Sequence, residues 1–174
     1  MQAILIGFMG SGKTTVGQLL AAQTGTAHAD LDDLIVSSAG QAITTIFAEK
    51  GEGYFRQLEQ QTLRAALQQP GILSTGGGTP TIAANAAILT ASAVPVILLD
   101  ASDETTLQRV MGDANRPLVN NLDTGALLSL KHRREPLYEA AADLVISTDT
   151  LTPQQIVTTI QDWLAKPAQQ AAQA

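Results

Sequence analysis

The chain has 174 residues, 45% hydrophobic and 15% charged, with a mean hydropathy of +0.11; this is enough for one domain with a full core, too little for two comfortable ones, and far from the disordered range. Ten Lys and Arg against sixteen Asp and Glu give a formal charge of −6, which argues against nucleic acid or an anionic membrane as a partner. There is no cysteine, and His28 and His132 are the only histidines. Disulfides, thiolate nucleophiles and Cys-type metal centres are therefore excluded, two lone histidines argue against a His-rich metal site, and the chemistry must run on Lys, Arg, Asp, hydroxyls and backbone.

The first residues, Met1 to Ile6, lack the basic start of a secretory signal, and the longest apolar stretch, 94–99, is too short to cross a bilayer. A cytoplasmic protein is expected. Short apolar runs alternate with longer segments of helical period, the mark of βα units stacked into a parallel sheet. Residues 3–7 predict the first strand and 13–24 the first helix, stopped by Gly25. A brief strand at 26–29 leads to Asp30-Leu31-Asp32-Asp33, and helical pattern continues to Gly40. Helix over 43–50 breaks at Gly51-Glu52-Gly53, and a longer one over 54–68 ends at Pro70-Gly71.

The third strand, 72–75, is stopped by Gly76-Gly77-Gly78, and an Ala-rich helix follows over 80–91. The fourth strand, 94–99, is apolar on both faces, as a buried parallel strand is. Ser102 caps a helix running to Met111, with Asp103 and Glu104 favourable to its dipole. Residues 112–125 hold Asp, Asn, Pro and Gly without apolar period and are expected to form a mobile loop. Helix over 126–141, a fifth strand at 144–146 and a last helix from Thr152-Pro153 to Leu164 complete the chain. The reading is one domain over 1–165 and a flexible tail over 166–174, without internal repeats.

Gly7-Phe8-Met9-Gly10-Ser11-Gly12-Lys13-Thr14 fits G-x-x-x-x-G-K-[ST] between a strand and a helix. Such a loop turns backbone N–H groups inward around phosphate oxygens, while Lys13 offsets β/γ charge and the Thr14 hydroxyl suits Mg²⁺. Asp30 and Asp32 stand at the carboxyl end of a strand, where α/β ligands bind, and are better metal candidates than Asp100, which reads as an ordinary helix entry. A capping cluster for the helix after Asp32 is the other reading. Gly76-Gly77-Gly78 permits close backbone approach to a ligand. Arg56 and Glu59, at i and i+3, face each other on a helix, although in isolation they read as a surface ion pair. Arg116 lies in the loop, from which it could close over phosphates. Of Arg133 and Arg134, about 100° apart on a helix, at most one should reach a site; His132 is assigned no role.

In this order the motifs resemble those of shikimate kinases over residues 4–163: the P-loop, Asp30 and Asp32, Phe55-Arg56 with Glu59, the triple glycine, Arg116-Pro117-Leu118, and Arg134 before Pro136-Leu137-Tyr138. The resemblance implies a three-layer α/β/α P-loop fold with a five-stranded parallel sheet, and transfer of the ATP γ-phosphoryl group to the 3-hydroxyl of shikimate. It further implies that Gly10, Ser11, Gly12, Lys13, Thr14 and Thr15 hold the nucleotide, with Arg109 near the adenine and Arg116 closing from the lid. Thr14 would ligate Mg²⁺, with Asp30 acting through water. Asp32 would orient the acceptor hydroxyl, Gly77 and Gly78 would present backbone to the ring, and Arg56 and Arg134 would hold its carboxylate. Lys13, Asp32 and Arg116 would be the catalytic set, and a monomer is expected. His28, Leu31 and Val36 depart from the usual pattern around the aspartates, a difference that bears on the local packing of the acid pocket. The alternatives are a kinase for another small hydroxy acid or a nucleoside monophosphate, which would want more aromatic surface than 3%, and a nucleotide switch, for which the chain lacks an N-K-x-D element.

Overall fold

The computed structural model describes residues 1–111 and 124–166. Five strands, β1 (Ala3–Ile6), β2 (His28–Asp30), β3 (Ile72–Ser74), β4 (Val96–Asp100) and β5 (Leu144–Ser147), form one all-parallel sheet in the order β2-β3-β1-β4-β5. Between them run α1 (Lys13–Thr24), α2 (Leu31–Ala39), α3 (Ile43–Leu67), α4 (Ala83–Thr90), α5 (Asp103–Met111), α6 (Thr124–Ala141) and α7 (Pro153–Leu164). The expected α/β/α architecture is therefore observed.

The alternation of side chains along β1 divides the core. Ile4 and Ile6 join Leu31, Ile35, Phe55, Leu63, Leu89 and Tyr138 on one face of the sheet. Ala3 and Leu5 join Val16, Leu20, Ile156, Val157 and Ile160 from α1 and α7 on the other. All four residues of β1 are buried, since helices cover both faces. Leu31 is fully buried in the first of these clusters, so the residue between the two aspartates is aliphatic because it faces the core.

Several boundaries differ from the sequence reading for local reasons. The fourth strand begins at Val96 instead of 94, because Pro95 has no N–H to give and serves only as acceptor for the Ile4 amide. The helix expected at 80–91 opens as a 3₁₀ turn, Thr79–Thr81, and becomes α-helical only at Ala83. The helical spans on either side of Gly51 run together as α3, with Gly51 at φ 76°, ψ 170° marking the expected break. α6 starts at Thr124, so the last two positions of the expected loop are helical; the rest of it, Arg116 included, lies outside the described residues, as does the tail beyond Lys166. Among the described residues no helix is long and apolar enough to cross a membrane.

Candidate active site

In this strand order the chain changes direction across the sheet between β1 and β3, where open α/β sheets leave a crevice at the carboxyl edge. The loop after β1 and the three glycines after β3 meet there. Gly7 has φ +141°, and a Cβ on it would lie 2.4 Å from the Leu99 carbonyl oxygen, so the start of the loop admits only glycine. Gly12 caps α1 with no side-chain hydrogen bond, and no acidic side chain occupies the helix's first turn. The helix thus offers its N-terminal N–H groups to an anion. Lys13 Nζ folds back over the loop and donates to the carbonyls of Gly7 and Phe8, both at 2.9 Å.

The two aspartates are close together but placed differently. Asp30 ends β2, and its Oδ1 accepts from the Asp32 amide at 3.0 Å, capping α2, while its Oδ2 accepts from the Thr14 hydroxyl at 3.3 Å. Capping and site are thus one residue's two oxygens. The helix starts before Asp32, not after it. The Asp32 carboxyl lies against Gly76, where a Cβ would stand 2.8 Å from Oδ1. Burial first, then the charges of Asp30 and Glu59, push its pKa up to about 6 against the opposing pull of Lys13. Asp33 is exposed on the outer side of the helix.

Arg56 and Glu59 do not form the surface pair that their spacing alone suggests. Glu59 is 1% exposed and accepts from Arg56 Nη1 at 3.0 Å, Thr79 Oγ1 at 2.8 Å and Asn85 Nδ2 at 2.9 Å. Glu52 Oε1 holds the opposite edge of the guanidinium, at 3.2 Å from Nε and 3.1 Å from Nη2. The remaining Nη1/Nη2 end faces Gly78, whose hypothetical Cβ would lie 3.2 and 3.3 Å from the two nitrogens. Arg134 approaches the same glycines from α6, donating to the Gly77 carbonyl at 3.3 Å with its guanidinium 5.9 Å from the Phe8 ring. Buried Tyr138 donates to that carbonyl at 2.6 Å. As expected for neighbours on a helix, Arg133 instead points to solvent.

Arg109 crosses from α5 to the P-loop, donating to Gly10 O at 3.2 Å and to the hydroxyl and carbonyl of Thr148 at 3.0 and 2.9 Å. Gly10, Ser11, Gly12, Lys13, Thr14, Thr15, Asp30, Asp32, Gly77, Gly78, Arg109 and Arg134 all line one cleft of about 670 Å³. Arg56 stands at its edge beside Gly78. The sequence reading missed Thr148, Leu151 and Pro153, which line the Arg109 end. Only their position after a strand's carboxyl end could have signalled them.

Two clusters lie outside the cleft. His28, where the usual pattern has an aromatic, packs against Gly17 and bonds Ser74 Oγ at 2.9 Å; that hydroxyl donates to the Lys13 carbonyl at 3.2 Å. Burial lowers the pKa of His28, with Asp30 and Asp33 pulling the other way. Asp103, His132 and Glu135 bring ligand atoms within 4.8 Å of one another. The ammonium of Lys131 fills that space, however, pairing with Glu135 and, at 3.0 Å, with Asp103. The group is an ion-pair network joining α5 to α6 and leaves no room for a cation.

A family model described as Shikimate kinase matches residues 9–165. The shikimate kinase of Limosilactobacillus fermentum is 42% identical over 99% of this chain and 100% of its own length. Among solved structures, the shikimate kinase of Acinetobacter baumannii in complex with shikimate superposes with a TM-score of 0.83 at 34% identity, covering 93% of this chain and 91% of that one. The Aquifex aeolicus shikimate kinase gives 0.81 at 30% identity, covering 94% and 96%. With the P-loop, the paired aspartates, the clasped arginine and the glycine run gathered at one sheet edge, the chain belongs to the shikimate kinase family.

Proposed function

We propose that this chain transfers the γ-phosphoryl group of ATP to the 3-hydroxyl of shikimate, giving shikimate 3-phosphate and ADP. The observation that carries the reading is the position of Asp32: its carboxylate shares a single cleft with the P-loop on one side and with Gly77, Gly78 and Arg134 on the other. A phosphoryl donor and an acidic, hydroxylated acceptor can meet there. Asp32 orients the acceptor hydroxyl and takes up its proton, and a carboxyl with a pKa of about 6 is ionised at neutral pH yet basic enough for that task.

Lys13 and the α1 N-terminus stabilise negative charge on the transferring group, with Gly10, Ser11, Gly12 and Thr15 around the phosphates. Thr14 Oγ1 and Asp30 Oδ2, hard oxygens 3.3 Å apart at the phosphate end of the cleft, suit Mg²⁺. That ion would neutralise phosphate charge, with Thr14 as ligand and Asp30 acting through water. Arg109 and Thr148 form the wall on the nucleotide's base side, and Arg116 is assigned to closure over ATP. Arg56 and Arg134 grip the acceptor's carboxylate from α3 and α6. Every group invoked comes from one chain, so a monomer suffices.

The test is ADP release with Mg-ATP over a panel of acceptors: shikimate, other small hydroxy acids, and nucleoside monophosphates. Release with shikimate alone, and a product phosphorylated at the 3-position, is the expected result. Preference for a nucleoside monophosphate, or nucleotide binding without turnover on any acceptor, overturns the reading.

A further inference from the structure

The direction of Arg56 is set by groups that never reach the cleft. Two carboxylates hold its guanidinium from opposite sides, but they are unequal. The Glu52 side chain is 64% exposed and its hold is screened by solvent. Glu59 is buried, and three donors fix its carboxylate: Arg56 Nη1 and Asn85 Nδ2 on Oε2, Thr79 Oγ1 on Oε1. Asn85 and Thr79 are both fully buried.

The orientation of the Asn85 amide is decided by chemistry. Turning it over would set Oδ1 against the Glu59 carboxylate, whereas as placed Nδ2 donates and Oδ1 is the atom left without a partner among the described residues. A buried carboxylate deprived of one donor bears the cost of an unmet acceptor, which favours any turn that recovers a partner. With Asn85 gone, Glu59 would swing about its bond to Thr79 and carry Arg56 with it. Thr79 also directly follows Gly78, so its hydroxyl registers the glycine run to the carboxylate that aims the arginine.

We propose that Asn85 and Thr79 are positioning residues for acceptor binding, acting through Glu59 to hold the Nη1/Nη2 end of Arg56 toward Gly78. This rests on reading Arg56 as an anchor for the acceptor's carboxylate.

The test uses Asn85→Leu and Thr79→Val, which keep volume and remove the donor, with Thr79→Ser as the conservative control. Steady-state kinetics for both substrates and Tm are read in the parent and in an Arg56→Met background. Asn85→Leu and Thr79→Val should each raise KM for shikimate by roughly fivefold or more, leave KM for ATP within about twofold, and lower Tm. Thr79→Ser should restore the parent KM. In the Arg56→Met background the same changes should still lower Tm but no longer raise KM for shikimate, because the group they aim is absent. A rise in KM for both substrates, or effects on shikimate KM that multiply with Arg56→Met, would make the network merely structural and overturn the proposal. If Arg56→Met raises shikimate KM while neither donor deletion does, the proposal alone falls; if Arg56→Met leaves it unchanged, the anchor reading falls and takes the proposal with it. Should Asn85→Leu not fold, the Thr79→Val and Thr79→Ser pair decides.

Discussion

At Asp32 function and stability pull in opposite directions. Its carboxyl is half-buried beside Asp30 and Glu59, and its pKa stands at about 6 where an unfolded chain has 3.8. The folded protein therefore binds this proton more tightly than the unfolded one between those two values. The stability so contributed is fully present below pH 3.8 and is lost as pH rises through about 6. Above pH 6 the charged carboxylate is a net cost to the fold, a cost that the proposed role as base for the acceptor hydroxyl would explain. Asp32→Asn should accordingly lower kcat by ~10²-fold or more while leaving ATP affinity nearly unchanged. The same substitution should raise Tm at pH 8, with the gain shrinking toward pH 4. In the parent, kcat/KM for shikimate should fall with unit slope below about pH 6, and the residual activity of the variant should lack that limb. Asp33→Asn should do none of this, since Asp33 faces solvent; comparable damage from it would show that the wrong carboxylate has been assigned.

At the level of elements, α1 is seated by a chain of contacts across three of them. His28 on β2 bonds Ser74 on β3, and Ser74 bonds the Lys13 carbonyl in the first turn of α1. Gly17 makes the room: a Cβ there would lie 2.6 Å from the His28 ring and 2.8 Å from Ser74 Oγ. Gly17→Ala should cost about 1–3 kcal/mol through this clash and raise KM for ATP by displacing the P-loop helix. Adding His28→Ala should return part of the lost Tm; strict additivity of the two losses would mean that the helix, not the ring, gives way. The glycine and the histidine are both plain in the sequence, but nothing local pairs positions eleven residues apart on different elements. The same limit separates what was legible from what was not. Apolar runs and glycine stops reveal strands, helices and the P-loop because those signals are local. Arg56 with Glu59 reads as a surface pair because the burial of Glu59 depends on Thr79 and Asn85, brought in by a later turn and helix. Lys131 is hidden among charged neighbours and proves buried only once α5 supplies Asp103.

Across the whole molecule, the proposed reaction asks an acidic chain to attract and hold an acid. The formal charge is −6, yet four of its ten Lys and Arg residues, Lys13, Arg56, Arg109 and Arg134, line or border the cleft, which focuses positive potential where the proposed reaction brings two anionic ligands together. The two arginines proposed to meet the acceptor are not placed alike. Arg56 is clasped by Glu52 and Glu59, so its local charge is more than cancelled and its contribution is direction. Arg134 has no ion-pair partner among the described residues and meets the Gly77 carbonyl, the Phe8 ring and the Tyr138 hydroxyl, so on the proposed reading it is the one that supplies uncancelled charge. Arg134→Met should therefore raise KM for shikimate by ~100-fold and flatten its dependence on salt, whereas Arg134→Lys, keeping the charge but losing the planar fork, should raise it only ~10-fold. Arg56→Lys should behave differently, costing affinity with little change in the salt dependence. An acceptor whose acid is replaced by a neutral amide should bind poorly to the parent yet lose little more on Arg134→Met, because substitution and analogue remove the same interaction. If the two losses multiply, Arg134 does not touch the carboxylate; if Kd for ATP rises instead, Arg134 serves the nucleotide and the acceptor's charge must be met elsewhere in the cleft.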